Sequence, residues 1–328
     1  MTTESSSGPI FIQGILPRSG TNLLYNLLRL HPDCGVAEPI WEDYLLEPSD
    51  LLMQYVGKVY HWWESAVPDW GVEETDRDAL CHFLGKGLVS FLQSRAGGKR
   101  LLTKTPCVAS LENFFTLFPN AHLLILVRDG RDLVESAARS FGWDRDETTR
   151  NWGKAAETIE RFDQANRDRD LNYMLVRYED LCLDLDAEFT KVLGFLGLDV
   201  AAYEFDAAQG MPVYGSSTLS ATKDWVHWKP VDKTSAFKSV GRWDGWSRRM
   251  HERFNWLAGT RLAAFGYEEK KYQGRQRTWK LYNRIVDLVQ KYKPYRLMPA
   301  PLWRLVKGGG YQLLRLGDAD IRPADGVA

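Results

Sequence analysis

Arg18, Ser19, Gly20, Thr21 and Asn22 stand where a chain can hold an anion, between an apolar strand-like run, Ile10 to Ile15, and a helix-like run, Leu23 to Leu30. The first backbone N–H groups of a helix have no intrahelical acceptor and share the positive end of the macrodipole. A strand-loop-helix rich in Gly, Ser and Thr therefore cradles phosphate. Arg18 adds a fixed charge. A Walker A loop would carry a Lys and a Mg²⁺-binding hydroxyl after its last glycine, whereas Gly20 is followed by Thr21 and Asn22. The loop reads as phosphate-binding without NTPase chemistry.

A second arrangement of this kind lies further along. The strand-like run His122 to Val127 leads directly into Arg128-Asp129-Gly130-Arg131-Asp132 and then into a helical run from Leu133 to Arg139. Arg128 at the strand end and Ser136 two turns into the helix can converge on one phosphate. Two separate phosphate sites are what a nucleotide phosphorylated at both its 3′ and 5′ positions demands. Arg131 and Asp132 read as surface or helix-start contacts, and His31, before Pro32, as a helix-end cap.

These residues must be positioned by an alternation of short apolar strands and amphipathic helices. Strands are expected near Ile10 to Ile15, Arg100 to Thr103, His122 to Val127 and Asn172 to Arg177. That pattern predicts an α/β fold with a parallel sheet flanked by helices and ligands at the carboxyl ends of its strands. The stretch from Trp41 to Gly98, which includes His61-Trp62-Trp63-Glu64, reads as inserted helices and loops that form an acceptor-facing lid. Gly210 to Ser239 reads as an irregular loop. From Arg275 to Arg315, Lys and Arg face a lone Asp287, with Trp279, Tyr282, Val286 and Val289 at helical spacing. Such a basic amphipathic segment packs on its own domain or makes peripheral contact with an anionic membrane.

At 328 residues, 44% hydrophobic and 12% aromatic, the chain can bury a substantial core. A net charge of -1 argues against nonspecific nucleic-acid binding, so any anion site must be local. Met1 to Gly8 has no apolar signal-like core, and no run approaches the ~20 apolar residues that span a bilayer. Cys34, Cys81, Cys107 and Cys182 lack metal-ligand spacing. Together these features lead to the expectation of a soluble cytoplasmic chain with reduced thiols and no metal centre.

The ordered motifs resemble the sulfotransferase family that uses 3′-phosphoadenosine 5′-phosphosulfate (PAPS). The loop Pro17 to Leu24 looks like its 5′-phosphosulfate loop, and Arg128 with Ser136 looks like its 3′-phosphate motif. Leu102-Thr103-Lys104-Thr105-Pro106, Phe118-Pro119-Asn120-Ala121 and Val127-Arg128-Asp129-Gly130-Arg131 are similar to tyrosylprotein and carbohydrate sulfotransferases. Val176-Arg177-Tyr178-Glu179-Asp180-Leu181, Phe195-Leu196-Gly197-Leu198 and Gly241-Arg242-Trp243 also match the family pattern. The resemblance implies a P-loop-like sulfotransferase domain over residues 9–270, followed by a basic, aromatic helical extension over 271–328.

It also implies roles. Arg18, Ser19, Gly20, Thr21 and Asn22 would wrap the 5′-phosphosulfate, and Arg128 and Ser136 would take the 3′-phosphate. Arg242 and Tyr178 would stand near the nucleotide, Tyr178 as a contact or as scaffold. Ser216, Ser217 and Thr218 would serve the adenosine or form a solvated turn. Lys104 would stabilise the bridging oxygen and leaving phosphate. Glu38 is the expected base, with Glu42, Asp43 and His61 as alternatives because Pro39 stands where the tyrosylprotein pattern can carry a second Glu. Fixed cations can stabilise a sulfuryl group without a metal. The acceptor would be a hydroxyl on a carbohydrate, another small alcohol, or a phenol such as peptide tyrosine. A P-loop-type kinase and a noncatalytic scaffold that binds adenosine 3′,5′-bisphosphate (PAP) remain open alternatives.

Overall fold

All five residues of the first strand, β1 (Ile10–Gly14), are buried, as expected of a central parallel strand covered on both faces. The computed structural model describes residues 8–66, 70–214, 230–231 and 238–292. Helix α1 (Thr21–Arg29) follows β1 and buries Thr21, Leu24, Tyr25, Leu27 and Leu28, the spacing of one helical face. Next come β2 (Cys34–Val36), α2 (Ser49–Ala66) and α3 (Glu74–Gln93), so the aromatic insertion is largely a pair of helices. The chain continues through β3 (Arg100–Thr105), a short α4 (Phe114–Leu117), β4 (His122–Val127), α5 (Gly130–Phe141), α6 (Arg145–Asn166) and β5 (Tyr173–Arg177). After β5 lie α7 (Tyr178–Leu183), α8 (Leu185–Leu196), α9 (Phe205–Gln209), the paired two-residue strands β6 (Val213–Tyr214) and β7 (Pro230–Val231), α10 (Arg248–Ala258) and α11 (Gln276–Tyr292).

The main sheet has the order β2-β3-β1-β4-β5 and every neighbouring pair is parallel. The chain leaves β1 outward to β2, returns at β3, then crosses to β4 on the other side. This places the β1–α1 loop between the carboxyl ends of two strands that diverge from it, where open α/β sheets bind ligands. Strand β1 aligns Ile12 with Lys104 on one side and Gly14 with Leu126 on the other.

Alternate β1 residues feed two cores. Phe11 packs with Phe114, Phe118, Ile125, Trp152 and Phe254 on one face, while Ile10 and Ile12 join Leu24, Leu28, Leu124, Leu126 and Phe189 on the other. The parallel sheet flanked by helices is thus as expected, and four of the five strands fall where apolar runs announced them. Strand β2 did not announce itself, because three residues around a glycine carry no readable period. Within the expected loop Gly210 to Ser239, residues 215–229 and 232–237 lie outside the described residues, Ser216, Ser217 and Thr218 among them.

Candidate active site

The β1–α1 loop folds back over the end of its own strand. A Cβ on Gly14 would meet the side chains of Ser19 and Thr21, and a Cβ on Gly20 would overlap the Tyr178 ring. Gly20 also has φ +101, in the left-handed region that glycine tolerates, and Arg18 has φ +78. Helix α1 has no side-chain cap and no acid in its first turn, and while Leu23 N donates to the Gly20 carbonyl at 2.9 Å, the Thr21 and Asn22 N–H groups are left to another acceptor. Ser19 is fully buried and its Oγ has no hydrogen-bond partner. A buried orphan hydroxyl beside an uncapped helix start fits an anion.

The second motif meets this loop directly. Arg18 Nε donates to Ser136 Oγ at 3.2 Å, and Arg242 Nη1 donates to the same oxygen at 3.1 Å. Arg128, the first residue after β4, donates from Nη1 to the Arg18 carbonyl (2.8 Å) and from Nη2 to the Ser239 carbonyl (2.7 Å). Its guanidinium lies 4.3 Å from the Tyr178 ring centroid, and its buried Nε has no partner. Burial, and then repulsion from Arg128 and Arg242, pushes the Arg18 guanidinium down to about 10. Arg242 is lowered by burial and by Arg128 in the same way. Two guanidiniums on the Ser136 hydroxyl, with Arg128 bonded to the Arg18 carbonyl beside them, make a cationic cluster whose donors suit a polyvalent anion. The Arg18 side chain serves this second pocket, leaving Ser19, Thr21 and the loop backbone to form the first.

The cluster is held from beneath. Asp132 lies in the first turn of α5, at the helix start as expected, but it is fully buried rather than at the surface and accepts from the Gly241 and Arg242 backbone N–H groups at 2.9 and 2.5 Å. Asp132 and Ser136 lie four residues apart on one face of α5, so one carries the turn that delivers Arg242 and the other receives its guanidinium. Arg131 is buried too, forked onto Asp129 at the start of α5. Glu179 accepts from the Asp129 N–H at 2.9 Å and from the Tyr267 hydroxyl at 2.6 Å, fixing the turn after Arg128. Tyr178 is buried between Gly20 and Arg128, where it shapes both pockets.

On the other side of β1, Lys104 is buried and its Nζ is 2.8 Å from Glu42 Oε1. Burial lowers the ammonium below the ordinary lysine value, while the bond to Glu42 opposes that shift. The second Glu42 oxygen accepts from the Tyr44 hydroxyl at 2.6 Å. The segment is bolted to β3: Asp43 N donates to the Lys104 carbonyl (3.2 Å), Tyr44 N donates to Thr105 Oγ1 (3.1 Å), and Thr103 Oγ1 donates to Asp43 Oδ2 (2.7 Å). Asp43 is thus a structural clasp, and burial raises its carboxyl.

Glu38 is not brought into contact with Lys104. Its side chain is 70% exposed and lies 3.8 Å from Arg29. The Tyr25 ring joins the two neighbourhoods, with Lys104 Nζ at 5.6 Å and the Arg29 guanidinium at 5.7 Å from its centroid. Arg29 also lies 5.6 Å from the exposed Trp41 ring. Glu42 and Tyr44 thus pair directly at Lys104, while Tyr25 lies between Lys104 and Arg29, which in turn neighbours Trp41 and Glu38. His61 is exposed on α2 and bonds Ser65. His31 is buried, bonding the Asp199 carbonyl at 3.0 Å and accepting from Asp33 N at 3.2 Å, so it ties the end of α1 to a distant turn as well as to its own.

The Sulfotransferase family profile matches residues 9–202, and the chain belongs to that family. Its relatives include the protein-tyrosine sulfotransferase of Drosophila melanogaster, 28% identical over 256 residues, covering 72% of this chain and 48% of the relative. Protein-tyrosine sulfotransferase A of Caenorhabditis elegans is 28% identical over 251 residues, covering 71% and 61%. The chain therefore spans about half the length of the fly protein and about three-fifths of the nematode one. Among solved structures, the sulfotransferase domain of the Synechococcus PCC 7002 olefin synthase aligns with a TM-score of 0.49 at 22% identity, over 80% of this chain and 96% of that one.

Proposed function

We propose that the protein transfers a sulfuryl group from PAPS to an acceptor hydroxyl and releases PAP. The observation that carries this reading is the convergence of Arg18, Arg128 and Arg242 near Ser136, joined through Arg18 to the uncapped start of α1. One ligand with phosphate at both ends of a nucleoside matches that pair of pockets. In this reading Ser19, Gly20, Thr21 and Asn22 hold the 5′ end, while Arg128, Ser136 and Arg242 hold the 3′-phosphate. Lys104 faces the bridging oxygen. Sulfuryl transfer moves less charge than phosphoryl transfer, so these fixed cations supply the stabilisation and no metal is assigned.

Glu38 is assigned the acceptor proton. Its exposed carboxylate is open to an incoming hydroxyl, whereas both Glu42 oxygens are already bonded, to Lys104 and to Tyr44. The acceptor is assigned as a phenol, with peptide tyrosine the leading case. Support comes from the aromatic side chains Tyr25, Trp41 and Tyr44 and from the names of the fly and nematode relatives. Calorimetry with PAP, followed by labelled PAPS offered to tyrosine peptides, simple phenols and sugars, tests both halves. One PAP per chain and label on tyrosine are expected. Failure to bind PAP overturns the donor, while label only on sugars overturns the acceptor and leaves the donor standing.

A further inference from the structure

Helix α11 carries an apolar face with no partner among the described residues. Its inner face is pinned to the body. Asp287, the helix's single acid, accepts from Arg150 (2.5 Å), Arg253 (2.7 Å) and Trp256 Nε1 (2.8 Å). Gln290 donates to Asp146 at 2.8 Å, and Asn283 is buried against the Glu252 carbonyl. The opposite face presents Leu281, Ile285 and Leu288, which are 60%, 51% and 55% exposed. At about 100° per residue these three fall within roughly 60° of arc, and Arg277, Lys280 and Arg284 fill the adjoining arc of about the same width. The helix thus has three sectors: one bound to the body, one cationic and one apolar.

We propose that this outer face docks the protein on an anionic lipid surface, with Leu281, Ile285 and Leu288 in the headgroup layer and Arg277, Lys280 and Arg284 against the lipid charges. Charge complementarity selects this occupant. The helix's only carboxylate is spent on the body, so the outer face carries only positive charge in a chain whose net charge is -1. The sequence beyond the helix continues the theme. Between Lys293 and Leu316 its charged residues are Lys293, Arg296, Arg304, Lys307 and Arg315, interspersed with Leu302, Trp303, Leu305 and other apolar residues. This docking is independent of the catalytic proposal, because none of these residues belongs to the cleft.

The test is co-sedimentation of the full chain with phosphatidylcholine vesicles, with and without about 30 mol % phosphatidylserine, at physiological salt. Binding is expected only to the anionic vesicles. Both Arg277→Gln/Lys280→Gln/Arg284→Gln and Leu281→Ser/Ile285→Ser/Leu288→Ser should reduce the partition coefficient by about tenfold or more, with circular dichroism and melting midpoint unchanged. Equal binding to neutral vesicles, no binding at all, or full binding by both variants would overturn the assignment. So would a lipid-free dimer that the serine variant converts to monomer, because the face would then serve a second copy of the chain.

Discussion

Lys104→Met keeps an unbranched stem of similar length in a buried slot and removes only the ammonium, so it isolates what that charge does. Its Nζ lies 2.8 Å from Glu42 and on the opposite side of β1 from the guanidinium cluster around Ser136. Removal of one preorganised cation aimed at developing charge should lower kcat by about 10²–10³-fold, which is roughly 3–4 kcal/mol. PAP affinity should change by no more than about threefold, because the phosphates are assigned to the α1 loop and to Arg128, Ser136 and Arg242. Stability should fall as well. A fully buried pair that loses one partner costs about 3–5 kcal/mol, but Glu42 is 20% exposed and keeps the Tyr44 hydroxyl, so about 1–2 kcal/mol is expected. Single-turnover sulfuryl transfer, PAP calorimetry and urea unfolding on the same preparation separate these effects. Unchanged turnover, or a fall in kcat matched by an equal loss of PAP affinity, would refute the assignment.

Three further outcomes follow from the same geometry. Glu38→Gln should lower kcat by about 10²-fold or more, with Glu42→Gln having the smaller effect on rate and the larger one on stability; pre-steady-state rates in the reverse order would move the base to Glu42. Asp132→Asn takes charge from the two backbone bonds that deliver Arg242, so PAP affinity measured by calorimetry should fall by about tenfold while Lys104-dependent chemistry on bound donor is retained. Burial holds His251 down at about 4, with Lys270 and Arg131 pressing the same way, and burial with Arg100 holds His122 at about 4. Both therefore bind protons more readily when unfolded, so stability should be fully present above about pH 6.5 and fall as pH drops toward 4, by at most about 2.7 kcal/mol per pH unit for the two together. Urea midpoints across that window, compared with those of His251→Phe, should show a shallower acid loss in the variant.

The parts of the site that sequence made legible are those whose meaning is local. Arg18 to Asn22 and Arg128 each stand directly after an apolar strand, and a parallel sheet delivers such residues to one edge. The place of Asp132 at the start of α5 is legible, but its burial is not, because its partners, Gly241 and Arg242, lie more than a hundred residues away and nothing in a single sequence sets that register. One signal was available: Asp132 and Ser136 are four apart, so a helix that aims Ser136 at a phosphate aims Asp132 nearby. The pairing of Lys104 with Glu42 rather than Glu38 depends on how the segment after β2 lies along β3, through Asp43 to Lys104 and Tyr44 to Thr105. Strand β2 is too short to reveal that adjacency, so a single sequence does not show which acid after it pairs with Lys104.

The guanidinium cluster holds like charges together in a buried place. Burial and Arg128 lower both Arg18 and Arg242, Arg242 also lowers Arg18, and the fold holds them there through carboxylates set behind them: Asp132 under the Arg242 turn, Asp129 under Arg131, and Glu179 under the turn after Arg128. Asp132 and Asp129 accept from backbone and from Arg131, Glu179 accepts from backbone and from the Tyr267 hydroxyl, and the Asp132 charge offsets part of the lowering that burial and Arg128 impose on Arg242. On the proposed donor assignment, a phosphate bound there would meet donors already oriented and relieve their repulsion, which would add to its binding free energy. In the same proposal Lys104 differs, since its ammonium is paired with Glu42 at 2.8 Å. A cation that must respond to charge appearing during transfer is better held by an exchangeable partner than left to grip the ground state, because only stabilisation that grows toward the transition state accelerates the step.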